Sequence, residues 1–127
     1  MISIITVGMN HRNYLEALYE SFYGEGKPDE EMEVVYVDNC STDGSVEWLR
    51  ETYPQVKVIV NTEPLGFGEN NNKGVMASRG EYIGIVNPDI VVKEGSIKWM
   101  ITVSIVTYKT GLEELQKCLD SLRSKSV

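Results

Sequence analysis

The chain has no long apolar run, no excess of positive charge, two cysteines and one histidine. Each shortage excludes something. No stretch approaches the roughly 20 apolar residues that cross a bilayer, so no transmembrane helix is expected. Met1-Ile2-Ser3-Ile4-Ile5-Thr6-Val7 is too short for a signal h-region and has no basic segment before it. The reading is cytoplasmic, at most peripheral to the inner face of the membrane. Cys40 and Cys118 do not make a disulfide framework and read as reduced thiols. The sequon Asn39-Cys40-Ser41 has no secretion signal to make it meaningful. Twelve Lys and Arg against 19 Asp and Glu leave a net charge of −7, which excludes the basic footprint of a nucleic-acid binder. It also means that a polyanionic ligand needs a cation or backbone N–H groups to be held. The single histidine, His11, has no Ser or Cys partner suggested nearby, and capping or exposure explains it better than catalysis.

What is present fits one globular domain: 127 residues, 42% apolar and 24% charged, enough for one core. Short β-branched runs alternate with amphipathic ones. Strands are expected at Ile2–Val7, Glu33–Val37, Val56–Val60 and Glu81–Val86, with helices at about Arg12–Tyr23, Ser45–Tyr53 and Glu69–Ser78. Strand–helix alternation implies right-handed crossovers and an α/β fold: a three-layer, Rossmann-like, mostly parallel sheet with helices on both faces. In such sheets ligands sit at the carboxyl ends of the strands, near a topological switch point.

The sequence also restarts. Ile2-Ser3-Ile4-Ile5-Thr6-Val7 returns as Val103-Ser104-Ile105-Val106-Thr107-Tyr108, and Leu15, Glu20, Ser21 and Phe22 line up with Leu115, Asp120, Ser121 and Leu122. Any strand followed by an amphipathic helix shares some of this pattern. The preferred reading is that the residues from about Ile101 onward copy the opening strand–helix unit, as a fusion, a frame-joined gene, a designed chimera or a truncated tandem would. A period of roughly 100 residues is too long for a solenoid.

Three constellations stand just past strand ends. Asp38 follows Val34-Val35-Tyr36-Val37 and precedes Asn39-Cys40-Ser41-Thr42-Asp43-Gly44-Ser45. A carboxylate there can accept from a base N–H or a ribose hydroxyl; alternatively it forms an Asx turn. Asp43 reads as a helix cap. Pro64-Leu65-Gly66-Phe67-Gly68-Glu69-Asn70-Asn71-Asn72-Lys73-Gly74 combines glycines for close backbone approach with three Asn at a helix start. It lacks the Gly-Lys-Ser/Thr ending of a P-loop. Asn87-Pro88-Asp89 ends the fourth strand. Pro88 holds Asn87 out of the α region, and Asp89 is a hard oxygen ligand suited to Mg²⁺ or Mn²⁺, with a diphosphate completing the shell.

Taken together, residues 1 to about 99 resemble the nucleotide-binding half of an inverting glycosyltransferase of family 2, with the GT-A fold, in its rhamnosyltransferase-like subgroup. The segments that carry this are Ser3-Ile4-Ile5-Thr6-Val7, Val37-Asp38-Asn39 through Ser45, Leu65-Gly66-Phe67-Gly68 with Asn71-Asn72-Lys73-Gly74, and Asn87-Pro88-Asp89. The resemblance implies a single domain over 1–127, with 1–99 as the nucleotide-sugar-binding half and 101–127 as the appended repeat. It implies a nucleotide site formed by Thr6, Val7, Asp38, Asn39, Gly66, Asn71 and Asn87, with Asp89 as the metal-directed carboxylate and Mg²⁺ or Mn²⁺ as cofactor. Asn71 falls where many relatives carry a basic residue, and Asn87 where the family's Asp-x-Asp motif has its first Asp. Gly8-Met9-Asn10 departs from the commoner Asn-Tyr-Asn or Thr-Tyr-Asn opening. The implied reaction moves a sugar from a UDP- or dTDP-linked donor to a saccharide or lipid-linked saccharide hydroxyl. No catalytic base is assigned, since nothing after Asp89 resembles the acceptor half. A non-catalytic fragment, fusion or chimera, and another α/β nucleotide binder such as a nucleotidyltransferase, stay open. The repeat implies that its strand extends the sheet or exchanges with the first strand, within one chain or across a homodimer.

Overall fold

The computed structural model describes residues 1–97; the repeat beginning near Met100 lies outside the described residues. The strands are β1 (Ile2–Gly8), β2 (Met32–Asp38), β3 (Lys57–Val60) and β4 (Tyr82–Ile85), and the helices are α1 (Arg12–Tyr23), α2 (Ser45–Thr52) and α3 (Phe67–Ala77). They alternate as expected, with ends moved by one or two residues. The start of α3 differs most. Gly66 caps it in extended geometry, and the Glu69 carboxylate accepts the Gly66 N–H at 3.2 Å, so helix begins at Phe67 rather than Glu69.

All pairings are parallel, in the order β3-β2-β1-β4. The chain winds outward through β1, β2 and β3, then returns to the other side of β1 to add β4. The switch point therefore lies between β1 and β4.

Alternate residues of a strand face opposite sides, and the two sides carry different helices. Ile2 and Ile4 of β1 and Val34 and Tyr36 of β2 join Leu15, Leu18 and Phe22 of α1 and Leu49 of α2 in one buried cluster. Each such side chain contributes roughly 1.5–3 kcal/mol of burial, which is what holds α1 and α2 down. Ile5 points the other way, onto α3, where Gly74 lies so close that a Cβ would strike the Ile5 γ2 methyl. The layers are thus helix, sheet, helix.

Ser3 lies on the α3 side with Ile5. Its hydroxyl donates to Glu33 at 2.6 Å and accepts the Gly80 N–H at 2.8 Å. Gly80 therefore serves the entry into β4, while α3 itself ends at Ala77, capped by the Ser78 hydroxyl on the Val75 carbonyl. Among the described residues β4 is one edge strand of the sheet and β3 the other, and Tyr82, Ile83 and Ile85 are exposed along β4. No helix among the described residues is long and apolar enough to cross a membrane.

Candidate functional site

The carboxyl ends of the strands open into a cleft of about 360 Å³, within the range of roughly 300–1,000 Å³ usual for small-ligand sites. Its wall is built from Val7 and Gly8 at the end of β1, Asn39 after β2, Leu65, Phe67 and Asn70 at the start of α3, and Asn87, Pro88 and Asp89 after β4; Met9 and His11 close the rim. The cleft therefore spans the switch point between β1 and β4.

Of the residues singled out from sequence, Val7, Asn39, Asn87 and Asp89 line this cleft. Thr6, Asp38 and Asn71 lie behind it. Thr6 is fully buried, and its hydroxyl donates to the Val86 carbonyl at 2.7 Å. Asp38 is 1% exposed. Its carboxylate accepts the Ser41 N–H, three residues on, at 2.8 Å and the Tyr36 hydroxyl at 3.2 Å. Burial and then the Asp38 charge push the Tyr36 phenol well above its ordinary pKa, so Tyr36 stays protonated and donates. Asn71 donates to the Phe67 carbonyl at 3.0 Å, and its buried amide oxygen has no partner among the described residues. Gly66 is the cap of α3 and does not line the wall.

The loop after β1 is stitched to the loop after β2. Ser41 Oγ accepts the Asn10 N–H at 2.9 Å, Asn10 Oδ1 accepts the Thr42 N–H at 2.8 Å, and Asp43 accepts the Arg12 N–H at 2.8 Å. Asn10 and Cys40 make the tight corners with φ of 56° and 63°, in the left-handed region that Asn tolerates better than Cys. His11 enters the site because its Nδ1 accepts the Met9 N–H at 2.9 Å. The other nitrogen then carries the proton in the neutral ring.

Gly8, Met9, His11, Leu65, Phe67, Asn70 and Pro88 also line the cleft, and the sequence assigned none of them to the nucleotide site. Three consecutive Asn on a helix point about 100° apart, and only the phase of α3 shows that Asn70 reaches the cleft. Asn61, Asn39, Asn70 and Lys73 form one side-chain network behind the wall.

At the end of β4, Asp89 is exposed and is the cleft's single carboxylate among the described residues. No group of three or more His, Cys, Asp or Glu comes together among the described residues. That suits Mg²⁺ or Mn²⁺ bound with a nucleotide, which take one or two carboxylates and complete the shell with phosphate and water. Asp89, and Asn87 two residues before it, both line the cleft and bring the hard oxygen donors that would hold such an ion.

A sequence model described as "Glycosyl transferase family 2" matches residues 3–104. A putative teichuronic acid biosynthesis glycosyltransferase, TuaG, of Bacillus subtilis is 29% identical over 92 residues, 70% of this chain and 36% of its own. Among solved structures, Staphylococcus aureus TarS 1-349 in complex with UDP superposes with a TM-score of 0.69 at 27% identity, covering 76% of this chain and 30% of that one. The mannosyltransferase PcManGT of Pyrobaculum calidifontis, in complex with GDP-Man and Mn²⁺, superposes with a TM-score of 0.65 at 24% identity, covering 86% of this chain and 33% of that one. The chain thus spans about a third of each of these proteins.

Proposed function

The chain belongs to glycosyl transferase family 2, and we propose that the cleft between β1 and β4 is its donor site, binding a UDP- or dTDP-linked sugar for transfer to a saccharide or lipid-linked hydroxyl. One observation carries this reading: the cleft lies at the switch point of a parallel sheet, with Asn87-Pro88-Asp89 on one side of it and Val7 on the other. The printed name of the TarS structure gives UDP as a ligand of that protein. dTDP is included because the motif set resembles rhamnosyltransferase-like members.

The roles divide by depth. Val7, Asn39 and Asn87 contact the nucleotide, and Asp89 is the residue that would hold Mg²⁺ or Mn²⁺. The ion would supply charge neutralisation of the leaving diphosphate. Thr6 and Asp38 act from behind the wall, fixing the strand ends, and Asn71 braces the first turn of α3 through the Phe67 carbonyl. In the transfer, the acceptor hydroxyl oxygen bonds to the anomeric carbon as the bond to the diphosphate breaks, which inverts that carbon. Asp89 is assigned to the ion, so the base that takes the hydroxyl proton comes from outside the described cleft.

A second reading, a chain that keeps the fold without turnover, draws on the repeat in residues 101–127. Its strand-like segment copies β1, the strand that β4 pairs with, and the outer side of β4 has no partner among the described residues. A homodimer formed along that edge is the partner this reading adds, and sedimentation tests it.

Calorimetry with UDP and dTDP, with and without Mn²⁺, tests the donor site. The expected result is binding that strengthens with Mn²⁺ and loses that gain in Asp89→Ala. Absence of metal-dependent binding to both nucleotides, with no effect of Asp89→Ala, would sink the proposal.

A further inference from the structure

We propose that Asn61 is a positioning residue of the cleft: with Lys73 it fixes the amides of Asn39 and Asn70 so that this wall offers hydrogen-bond donors to the ligand. The inference rests on the donor-site reading above and names the chemistry that wall selects, the acceptor oxygens of a nucleotide.

Asn61 follows β3, is 5% exposed, and has every polar group engaged. Its N–H donates to the Asp38 carbonyl at 2.9 Å, and its own carbonyl faces the Cys40 thiol at 3.5 Å. Its side-chain nitrogen donates to Asn39 Oδ1 at 3.1 Å and to Asn70 Oδ1 at 2.6 Å, using both amide hydrogens. Its side-chain oxygen accepts from Lys73 Nζ at 2.9 Å.

The amide orientations are set by groups that cannot reverse. An ammonium only donates, so the oxygen of Asn61 must face Lys73 and its nitrogen must face the two other amides. At the far end, Asn39 Oδ1 accepts the Leu65 N–H at 2.8 Å and Asn39 Nδ2 donates to the Leu65 carbonyl at 3.2 Å. A peptide group also has fixed polarity. Asn70 Nδ2 donates to the same Leu65 carbonyl at 3.1 Å. The oxygens of Asn39 and Asn70 are therefore both turned to Asn61, and each nitrogen keeps one hydrogen without a protein acceptor among the described residues. Both residues line the cleft.

This answers a problem posed by charge. The chain carries −7 overall, and among the described residues no Lys or Arg lines the cleft. Lys73 acts at one remove: its ammonium polarises the Asn61 amide, and the chain of hydrogen bonds carries that bias to the wall. The oxygens such a wall would take are those of a phosphate or of a base carbonyl.

Asn61→Asp tests this, because it keeps the size and the Lys73 partner but sets an acceptor against Asn39 Oδ1 and Asn70 Oδ1. Wild type and variant are titrated with UDP, uridine and inorganic pyrophosphate, with thermal melting alongside. The expected result is a tenfold or greater loss of UDP affinity at a retained fold. Loss shared by pyrophosphate but not uridine assigns the wall to phosphate; loss shared by uridine but not pyrophosphate assigns it to the base. A uniform loss across all three probes means general damage and overturns the proposal, as does UDP binding within twofold of wild type. Lys73→Met, on an exposed helix position, removes the anchor without touching the wall. It is expected to lose affinity for the same probes, and serves as the deciding variant should Asn61→Asp fail to fold. A wild-type protein that binds none of the probes overturns the donor-site reading itself, whereas an unaffected variant of a binding wild type overturns only the role of Asn61.

Discussion

The Thr6 hydroxyl donates to the Val86 carbonyl at 2.7 Å, which ties β1 to the residue where β4 gives way to Asn87-Pro88-Asp89. Both residues are buried, so the carbonyl has no water to turn to. Thr6→Val keeps the shape and removes the donor, which is expected to cost about 1–3 kcal/mol. Chemical denaturation reads the loss, and nucleotide titration should show weaker Mn²⁺-dependent binding as the strand end loosens. Thr6→Ser is expected to recover both. A Thr6→Val protein of wild-type stability would contradict the assignment.

Gly8 and Tyr36 form a second pair at the strand ends. A Cβ on Gly8 would strike the Tyr36 hydroxyl and the ring atoms beside it, and that hydroxyl is the one held by Asp38. Gly8→Ala is expected to cost about 1–3 kcal/mol through overpacking. Removing the Tyr36 hydroxyl relieves the nearest clash, so Gly8→Ala should cost less in a Tyr36→Phe background. A double-mutant cycle with additive costs would mean the two sites do not touch.

The same local contacts show what the sequence could and could not reveal. The strands, the helices and the Asn-Pro-Asp stop were legible because they rest on short-range signals: β-branched runs, helical spacing, and a proline that fixes its neighbour. Val7, Asn39, Asn87 and Asp89 were legible for the related reason that strand ends of a parallel sheet face the ligand side. Depth was not. Thr6 and Asp38 sit at the right ends of the right strands, yet their side chains are spent on Val86, Tyr36 and Ser41. Nor does a run of three Asn state its helical phase. Asn70 reaches the cleft because Gly66 and Glu69 start α3 at Phe67. The network from Asn39 to Lys73 runs through Asn61, which bonds residues 9 to 22 positions away: Asn70 at a separation of 9, Lys73 at 12 and Asn39 at 22. Only the fold brings them together.

Glu33 gives the protein a sensitivity to acid. Burial alone would raise its pKa, but hydrogen bonds from the Ser3 hydroxyl and from the backbone and guanidinium of Arg79, together with the guanidinium charge, hold it below the ordinary 4.5. A carboxyl whose folded pKa is depressed contributes stability that is present above its unfolded pKa and lost as pH falls through the folded one. Stability should therefore decline below about pH 4.5. Glu33→Gln removes the ionisable group and is expected to flatten that part of the profile at a cost of roughly 1 kcal/mol near neutrality. Denaturation curves between about pH 3 and pH 7 check it, and an unchanged acid limb would remove Glu33 as its source.

Tyr19 makes the opposite case at high pH. It sits fully buried among Phe22, Trp48 and Tyr53, with ring centroids 5.6, 6.4 and 5.3 Å away, and its hydroxyl has no hydrogen-bond partner among the described residues. The ring contributes to the core while the hydroxyl is desolvated without return. Tyr19→Phe keeps the ring and is expected to raise stability by about 0.5–1 kcal/mol at neutral pH. Burial, followed by the neighbouring Tyr36 and Tyr23 phenols, pushes the Tyr19 pKa well above the ordinary 10.0. Above the unfolded value the unfolded chain sheds a proton that the folded state retains, so stability falls as pH rises through that window. Without the hydroxyl this contribution disappears. Melting temperatures taken between about pH 7 and pH 11 should thus show Tyr19→Phe gaining on wild type as pH rises. A constant or shrinking difference would mean that the folded protein does not hold the Tyr19 phenol above its unfolded pKa.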